Sequence, residues 1–380
     1  MVQPILLGLL AAFVGFASSF AVVLQGFTAV GASPAQAASG LVMLCLLMGL
    51  LGAGFSIVWR MPISIAWSTP GAALLATSGM PEGGFPAAVG AFLAASALLV
   101  VAGLWRPFAR AVERIPPAIA AAMLAGVLLD LCLAPVRAVG ALPWLALPVV
   151  LVWAVMLRVQ RLWAVPAAVL VAVIALAAGP GLPGGGAWQP PTLVWVTPSF
   201  EWGAMVGIAL PLFLVTMASQ NLPGFAVLSA NGYDIKMRPV FLATGAGSFL
   251  GGFFGGQLVN LAAITAALCA GPEAHPDPKR RWIAGVFASL GYLGFALVAG
   301  VAAAVVAAAP PLLIQAVAGL ALLASLAGAL SIALAQEPTR LPAIVTFVVV
   351  ASGLSVGGIG PAFWGLVAGG GLMFLLRRPA

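Results

Sequence analysis

Long apolar runs, separated by short polar or proline-containing breaks, fill this chain from one end to the other. They show no strict alternation of apolar and polar positions, which predicts helices and argues against an outer-membrane barrel. At about 20 apolar residues per crossing, the runs predict spans over 4–29, 35–58, 62–79, 85–105, 116–133, 142–157 and 162–179. After a Gly- and Pro-rich stretch and a linker over 181–200, the series resumes over 201–222, 239–256, 257–271, 282–308, 312–334, 341–356 and 359–376. The pattern is that of an all-α polytopic membrane protein of about 14 segments, seven in each half.

An odd number of spans per half gives the two halves opposite orientations, the hallmark of an inverted repeat. The repeats then cover 1–180 and 201–380, and the sequence echoes between them. Gln25-Gly26-Phe27 stands opposite Asn221-Leu222-Pro223-Gly224-Phe225, and the stretch from Pro62 to Ala76 stands opposite that from Gln257 to Ala267. The offset is 196–198 residues for the first pair and 195 at the start of the second.

Composition agrees with a membrane solvent. Of 380 residues 63% are hydrophobic and 6% charged, where a soluble domain carries roughly 25% charged residues. The formal net charge of +7 reports topology, because the basic residues are scattered between spans and not gathered on one face as a nucleic-acid footprint would be. With a cytoplasmic N-terminus, fourteen Lys and Arg residues fall on one side and Arg137 alone on the other, a strong positive-inside bias. Omitting 62–79 would move Arg106, Arg110 and Arg114 across the membrane, and omitting 257–271 would move Lys279, Arg280 and Arg281. The two weakest spans are thus required by charge, and both termini are expected in the cytoplasm. The apolar run leading to Ala35-Gln36-Ala37 lacks a basic n-region, so signal cleavage is not expected.

Several functions are excluded by what is scarce. One histidine and three widely spaced cysteines, Cys45, Cys132 and Cys269, predict neither a metal centre nor a disulfide, and no cofactor is expected. Eight carboxylates, mostly in loops, do not make a catalytic cluster, so an enzyme is not expected. ATP-driven transport is also not expected, since no G-x-x-x-x-G-K-[ST] loop occurs.

The chemistry concentrates where polar residues interrupt the spans. In Met61-Pro-Ile-Ser-Ile-Ala-Trp-Ser-Thr-Pro-Gly71, Pro70 preceded by Ser68 and Thr69 is a helix-start signature. This predicts an extended entry over 62–68 and a half-helix from Thr69 or Pro70. Extended backbone at membrane depth survives only against protein or a wet cavity, and a half-helix start there offers N–H groups to an anion. Segment 257–271 repeats the pattern with Gln257, Asn260 and Thr265, entered through paired glycines. A proline-kinked helix with hydroxyls bonded to their own backbone is the alternative. Gln220 and Asn221, near the end of the eighth span, read either as caps or as donors to a carboxylate, with Gln25 and Phe27 mirroring them. Asp130 and Glu201 are the carboxylates closest to apolar runs and the candidates for proton coupling. His275 falls in a loop.

The block Met61 to Ala76, together with Ser18-Ser19-Phe20 through Gln25-Gly26-Phe27-Thr28-Ala29 and Gln220-Asn221-Leu222-Pro223-Gly224-Phe225, resembles the benzoate/proton symporter family (BenE-type) over essentially the whole chain. The resemblance implies a bacterial inner-membrane carrier importing benzoate or a related aromatic carboxylate with protons. It also implies the seven-plus-seven inverted-repeat fold of nucleobase and anion transporters, with a core domain (1–110 and 201–308), a gate domain (111–180 and 309–380) and substrate between the third and tenth half-helices. On that basis Ser64, Ser68, Thr69, Gln220, Asn221, Asn260 and Thr265, with Gln25, would hold a carboxylate, while Trp67, Phe27 and Phe225 would hold the ring. Nucleobase members of the fold carry acids in the eighth and tenth spans. Here those stretches read Ala218-Ser219-Gln220-Asn221 and Leu258-Val259-Asn260-Leu261, which suits an anionic substrate and leaves the proton's route undefined. An uncoupled anion exchanger or channel, or a nucleobase-type transporter, is the alternative on the same fold. A homodimer is left open.

Overall fold

The computed structural model describes residues 2–105, 107, 116–178, 190–357 and 359–376. Arg106, Arg110, Arg114, Arg377 and Arg378, and the first part of the linker (181–189), lie outside the described residues.

Among the described residues, fourteen helices follow the predicted order. The first repeat holds α1 (Val2–Ala29), α2 (Pro34–Trp59), α3 (Thr69–Ser78), α4 (Gly84–Leu104), α5 (Pro117–Ala141), α6 (Pro143–Val159) and α7 (Ala164–Ala178). The second holds α8 (Trp202–Ala230), α9 (Met237–Gly252), α10 (Ile264–Ala270), α11 (Trp282–Ala308), α12 (Pro311–Leu334), α13 (Glu337–Ala351) and α14 (Pro361–Leu376). Among the described residues, eight helical stretches are long and apolar enough to cross a membrane. Leu151, Val155 and Leu170 are exposed, as lipid-facing side chains must be in a multi-pass membrane protein, and Trp144 and Trp202 stand exposed at helix starts in the manner of interfacial anchors.

Packing displays the inverted repeat. α2 lies along α11, and their repeat counterparts α9 and α4 lie along each other. α5 packs on its own counterpart α12. The backbones come so close there that a methyl group at Gly319 would collide with the Leu131 carbonyl.

Two spans differ from their predicted ends. α5 continues to Ala141, past the predicted end at 133, because Pro135 is accommodated inside the helix. α8 continues to Ala230 through Pro211 and Pro223. Proline removes a backbone donor and clashes with the preceding turn. Here each proline follows a widened π-turn, Met205–Ala209 and Met217–Asn221, a device that absorbs such a defect within a continuous helix. Gln220 and Asn221 therefore sit in mid-helix and not at a helix end.

The two interrupted spans meet. Residues Ile65–Trp67 form β1 and Val259–Leu261 form β2, antiparallel, with Ile65 opposite Leu261, Ala66 opposite Asn260 and Trp67 opposite Val259. The ladder continues through Ser68 N–H to Leu258 O (3.0 Å) and Ala262 N–H to Ser64 O (2.9 Å). Each short strand supplies the partners that the other lacks, which is how extended backbone persists at membrane depth. Gly255, at φ +82°, makes the left-handed turn that leads α9 into β2, a conformation open to glycine at little steric cost.

Candidate functional site

Hydroxyls and amides knit the two crossing points together. Ser68 caps α3 by accepting from Gly71 N–H at 3.1 Å, and also accepts from Thr216 Oγ1 of α8 at 2.7 Å. Gln257 Nε2 donates to Ser68 O at 2.9 Å. Ser64 and Thr265 share a hydrogen bond of 2.8 Å. Asn221 Oδ1 accepts from Leu261 N–H at 3.0 Å, and Ser248 Oγ accepts from Val259 N–H at 2.9 Å. Asn260 Nδ2 donates to Leu261 O at 2.9 Å. Gln257 Oε1 and Asn260 Oδ1 are buried acceptors without a donor among the described residues.

Between α1, β1, α3, α8, β2, α10 and α11 lies a cavity of about 60 Å³. Ser18, Ser19, Trp67, Thr69, Gln220, Thr265 and Tyr292 give it a polar lining. Trp67 is fixed in it by an Nε1–H bond to Ser19 Oγ (2.9 Å) and by an edge contact with Tyr292, ring centroids 6.2 Å apart. Gln220 and Ala263 also line a second, larger cavity of about 320 Å³. Its walls are mostly apolar, with Pro70, Pro117, Met123, Leu124, Leu214, Met217, Leu222 and Ile332, and carry Ser219, Gln220 and Ser325 as polar points. A small polar chamber thus adjoins an apolar vestibule between α8, α5 and α12. Among the described residues, no charged side chain lines either.

A third cavity, of about 380 Å³, lies between α1, α11 and α12, lined by Leu24, Gln25, Ala76, Ala303, Ile314 and Gln315. It joins α1 to α12, where the vestibule joins α8 to α5. Those pairs are repeat counterparts, so the two cavities are related by the inverted repeat.

Of the residues singled out from sequence, Trp67, Thr69, Gln220 and Thr265 come together around the polar chamber. Ser64, Ser68, Asn221 and Asn260 are buried just behind it and hold its backbone. Gln25 lines the third cavity. Phe27 is fully buried, packed with Phe85 and Phe92, and Phe225 packs edge-on against Phe241, so neither lines the chamber. The α3 start offers little to an anion: Pro70 has no N–H, and those of Gly71 and Ala72 are held by Ser68.

The two carboxylates stand apart. Asp130 is exposed and paired with Arg137 at 2.7 Å. Glu201 precedes α8 and is exposed, nineteen residues and so about 28 Å along the helix from Gln220 at 1.5 Å per residue. Sequence reasoning missed Tyr292, whose signal was its rarity: it is one of two tyrosines and lies in mid-span, away from the interfacial belts that tyrosine favours. It also missed Arg281, a buried cation donating to Ala270 O (2.8 Å), His275 O (2.7 Å) and Pro276 O (3.4 Å), which caps the C-terminus of α10. Arg60 closes α2 and stacks 4.5 Å over Trp282 at the start of α11.

Paired inverted repeats, two crossing interrupted spans and a chamber at their junction define a membrane transporter of the inverted-repeat class. Known folds agree. The chain superposes on the overall structure of SLC26A9 with a TM-score of 0.68 at 15% identity, covering 99% of this chain and 65% of that one, so it spans just under two thirds of that protein's length. It matches the transmembrane domain of the cyanobacterial bicarbonate transporter BicA with a TM-score of 0.59 at 14% identity, over 97% of each. The chain belongs to the BenE family, described as benzoate membrane transport protein, whose profile matches residues 1–375. It is 41% identical to inner membrane protein YdcO of Escherichia coli (strain K12) over 96% of this chain and 94% of that protein. It is 31% identical to the benzoate membrane transport protein of Acinetobacter baylyi over 98% of this chain and 94% of that protein. The family is one of membrane transporters, not enzymes.

Proposed function

We propose that this protein is a secondary carrier of the inner membrane that imports benzoate, or a related aromatic carboxylate, together with protons. The observation that carries the proposal is the pair of adjoining chambers sharing Gln220 and Ala263. A small polar end lies beside a mostly apolar space suited to a ring, matching a ligand that is polar at one end and flat and apolar at the other. The relatives named for benzoate transport and for the inner membrane support the substrate and the location.

Movement follows from the repeat. A core domain, 1–110 with 201–308, would rock against a gate domain, 111–180 with 309–380, around the crossing of β1 and β2. With both termini cytoplasmic, the vestibule opens toward the cytoplasm and the third cavity toward the opposite side. Each lies where core helices face gate helices, α8 against α5 and α12 for the vestibule, α1 and α11 against α12 for the third cavity, so closing one while opening the other would give alternating access.

Counterflow of labelled benzoate into proteoliposomes loaded with unlabelled benzoate tests the substrate class. The expected result is uptake that chloride, sulfate and uracil do not compete away. Competition by chloride or sulfate would favour an anion exchanger, and competition by uracil a nucleobase-type carrier; either would overturn the proposal.

A further inference from the structure

The chamber holds polar groups whose hydrogen-bonding capacity is unused. Among the described residues, the Gln220 amide and the Tyr292 and Thr69 hydroxyls line the cavity without a hydrogen-bond partner. The neighbouring groups are committed: Ser19 accepts from Trp67 and donates to Gly15 O, and Thr265 pairs with Ser64. We propose that the species bound is the undissociated acid, its carboxyl group paired with the Gln220 amide, and that the coupled proton is the substrate's own. The proposal rests on the carrier function above and adds to it the protonation state of the cargo.

A primary amide presents one donor edge and one acceptor, and a protonated carboxyl group presents the reciprocal pair. A carboxylate presents acceptors only, so the amide oxygen would face it unfavourably. Among the described residues, no fixed cation compensates. The titratable and charged groups on the surrounding elements are few, and apart from the neutral Tyr292 hydroxyl none of them lines the chamber. They are Tyr292 on α11, Cys269 on α10 and Cys45 on α2, with Arg60 and Arg281 engaged at helix ends and Glu201 and Asp130 distant. Burial without a cation raises a carboxyl pKa by up to about 3–5 units. That covers the about three units between pH 7 and an ordinary carboxylic acid. The step balances: a carboxylate and a proton combine before binding, cross as one neutral molecule, and separate after release, so no protein carboxylate is needed.

The test is counterflow of labelled benzoate at a series of pH values without a gradient, corrected against protein-free vesicles. Half-saturating total benzoate is expected to rise about tenfold per pH unit above the acid's pKa, with benzamide competing and permanently anionic benzenesulfonate not competing. Gln220→Met should weaken benzoate and benzamide in parallel. Half-saturation that is independent of pH, or competition by benzenesulfonate as strong as that by benzoate itself, overturns the neutral-acid proposal while leaving benzoate transport in place. Absence of benzoate counterflow at every pH removes the carrier function and the inference together.

Discussion

A methyl group added at Gly15 would meet Tyr292 Oη and come within 3.1 Å of Thr265 Cγ2, at the wall of the polar chamber. Gly15→Ala should therefore act on the ligand more than on the fold. Overfilling a packed site costs about 1–3 kcal/mol, so half-saturating benzoate should rise by about fivefold to a hundredfold, with the thermal midpoint of the purified protein little changed. Asn221 predicts the reverse. Its Oδ1 satisfies the buried Leu261 N–H, and an orphaned buried donor costs about 1–3 kcal/mol. Asn221→Ala should lower the thermal midpoint even without ligand, as read by a melting curve in detergent. At this scale the sequence is informative about which residues matter and silent about their partners. A serine, threonine or amide within an apolar run stands out, as Ser64, Gln220 and Thr265 do. The bond that employs it joins residues far apart in the chain, 201 positions for Ser64 with Thr265 and 48 for Trp67 with Ser19. Nothing local distinguishes Asn221, which holds a strand, from Gln220 beside it, which faces the cavity.

The half-helices were legible as elements because proline and the residue before it carry a mechanism. Ser68 caps and Pro70 starts α3 where the sequence predicts, and β1 is the extended entry that residues 62–68 require. The ends of α5 and α8 were not legible, since a proline inside a membrane helix is tolerated when neighbours and local π-turns satisfy the freed groups, and hydropathy does not report a π-turn. The element most open to test is α10, a short helix with no side-chain cap at its start. Its far end is fixed by Arg281, whose guanidinium donates to three carbonyls across a turn. Arg281→Lys keeps the charge and loses the planar fork. Hydrogen exchange should rise selectively over Ile264–Ala270, and more so in Arg281→Ala, where charged hydrogen bonds worth about 1.5–3 kcal/mol each are removed. Unchanged exchange in that helix would show that Arg281 does not hold it.

The whole molecule places two large cavities at repeat-related positions, with the three cysteines all buried, so introduced thiols report on a quiet background. Cysteine placed at Ala121 in the vestibule and at Ala29 in the opposite cavity should change reactivity toward a membrane-impermeant reagent in opposite senses when benzoate is added. Parallel changes would argue against alternating access. The span number and the need for the third and tenth segments were present in hydropathy and in the arginine distribution, and the repeat in the span count and the sequence echo; the crossing of the two segments was not. The cavities were not, because they are made by side chains from α5, α8 and α12 that meet only on folding. The central claim, a carrier driven by protons, is tested most directly by labelled benzoate uptake into proteoliposomes with and without an imposed inward proton gradient. Accumulation above the equilibrium level only when the gradient is present is the predicted result. Uptake that reaches the same level with and without the gradient, or no uptake in either case, would contradict it.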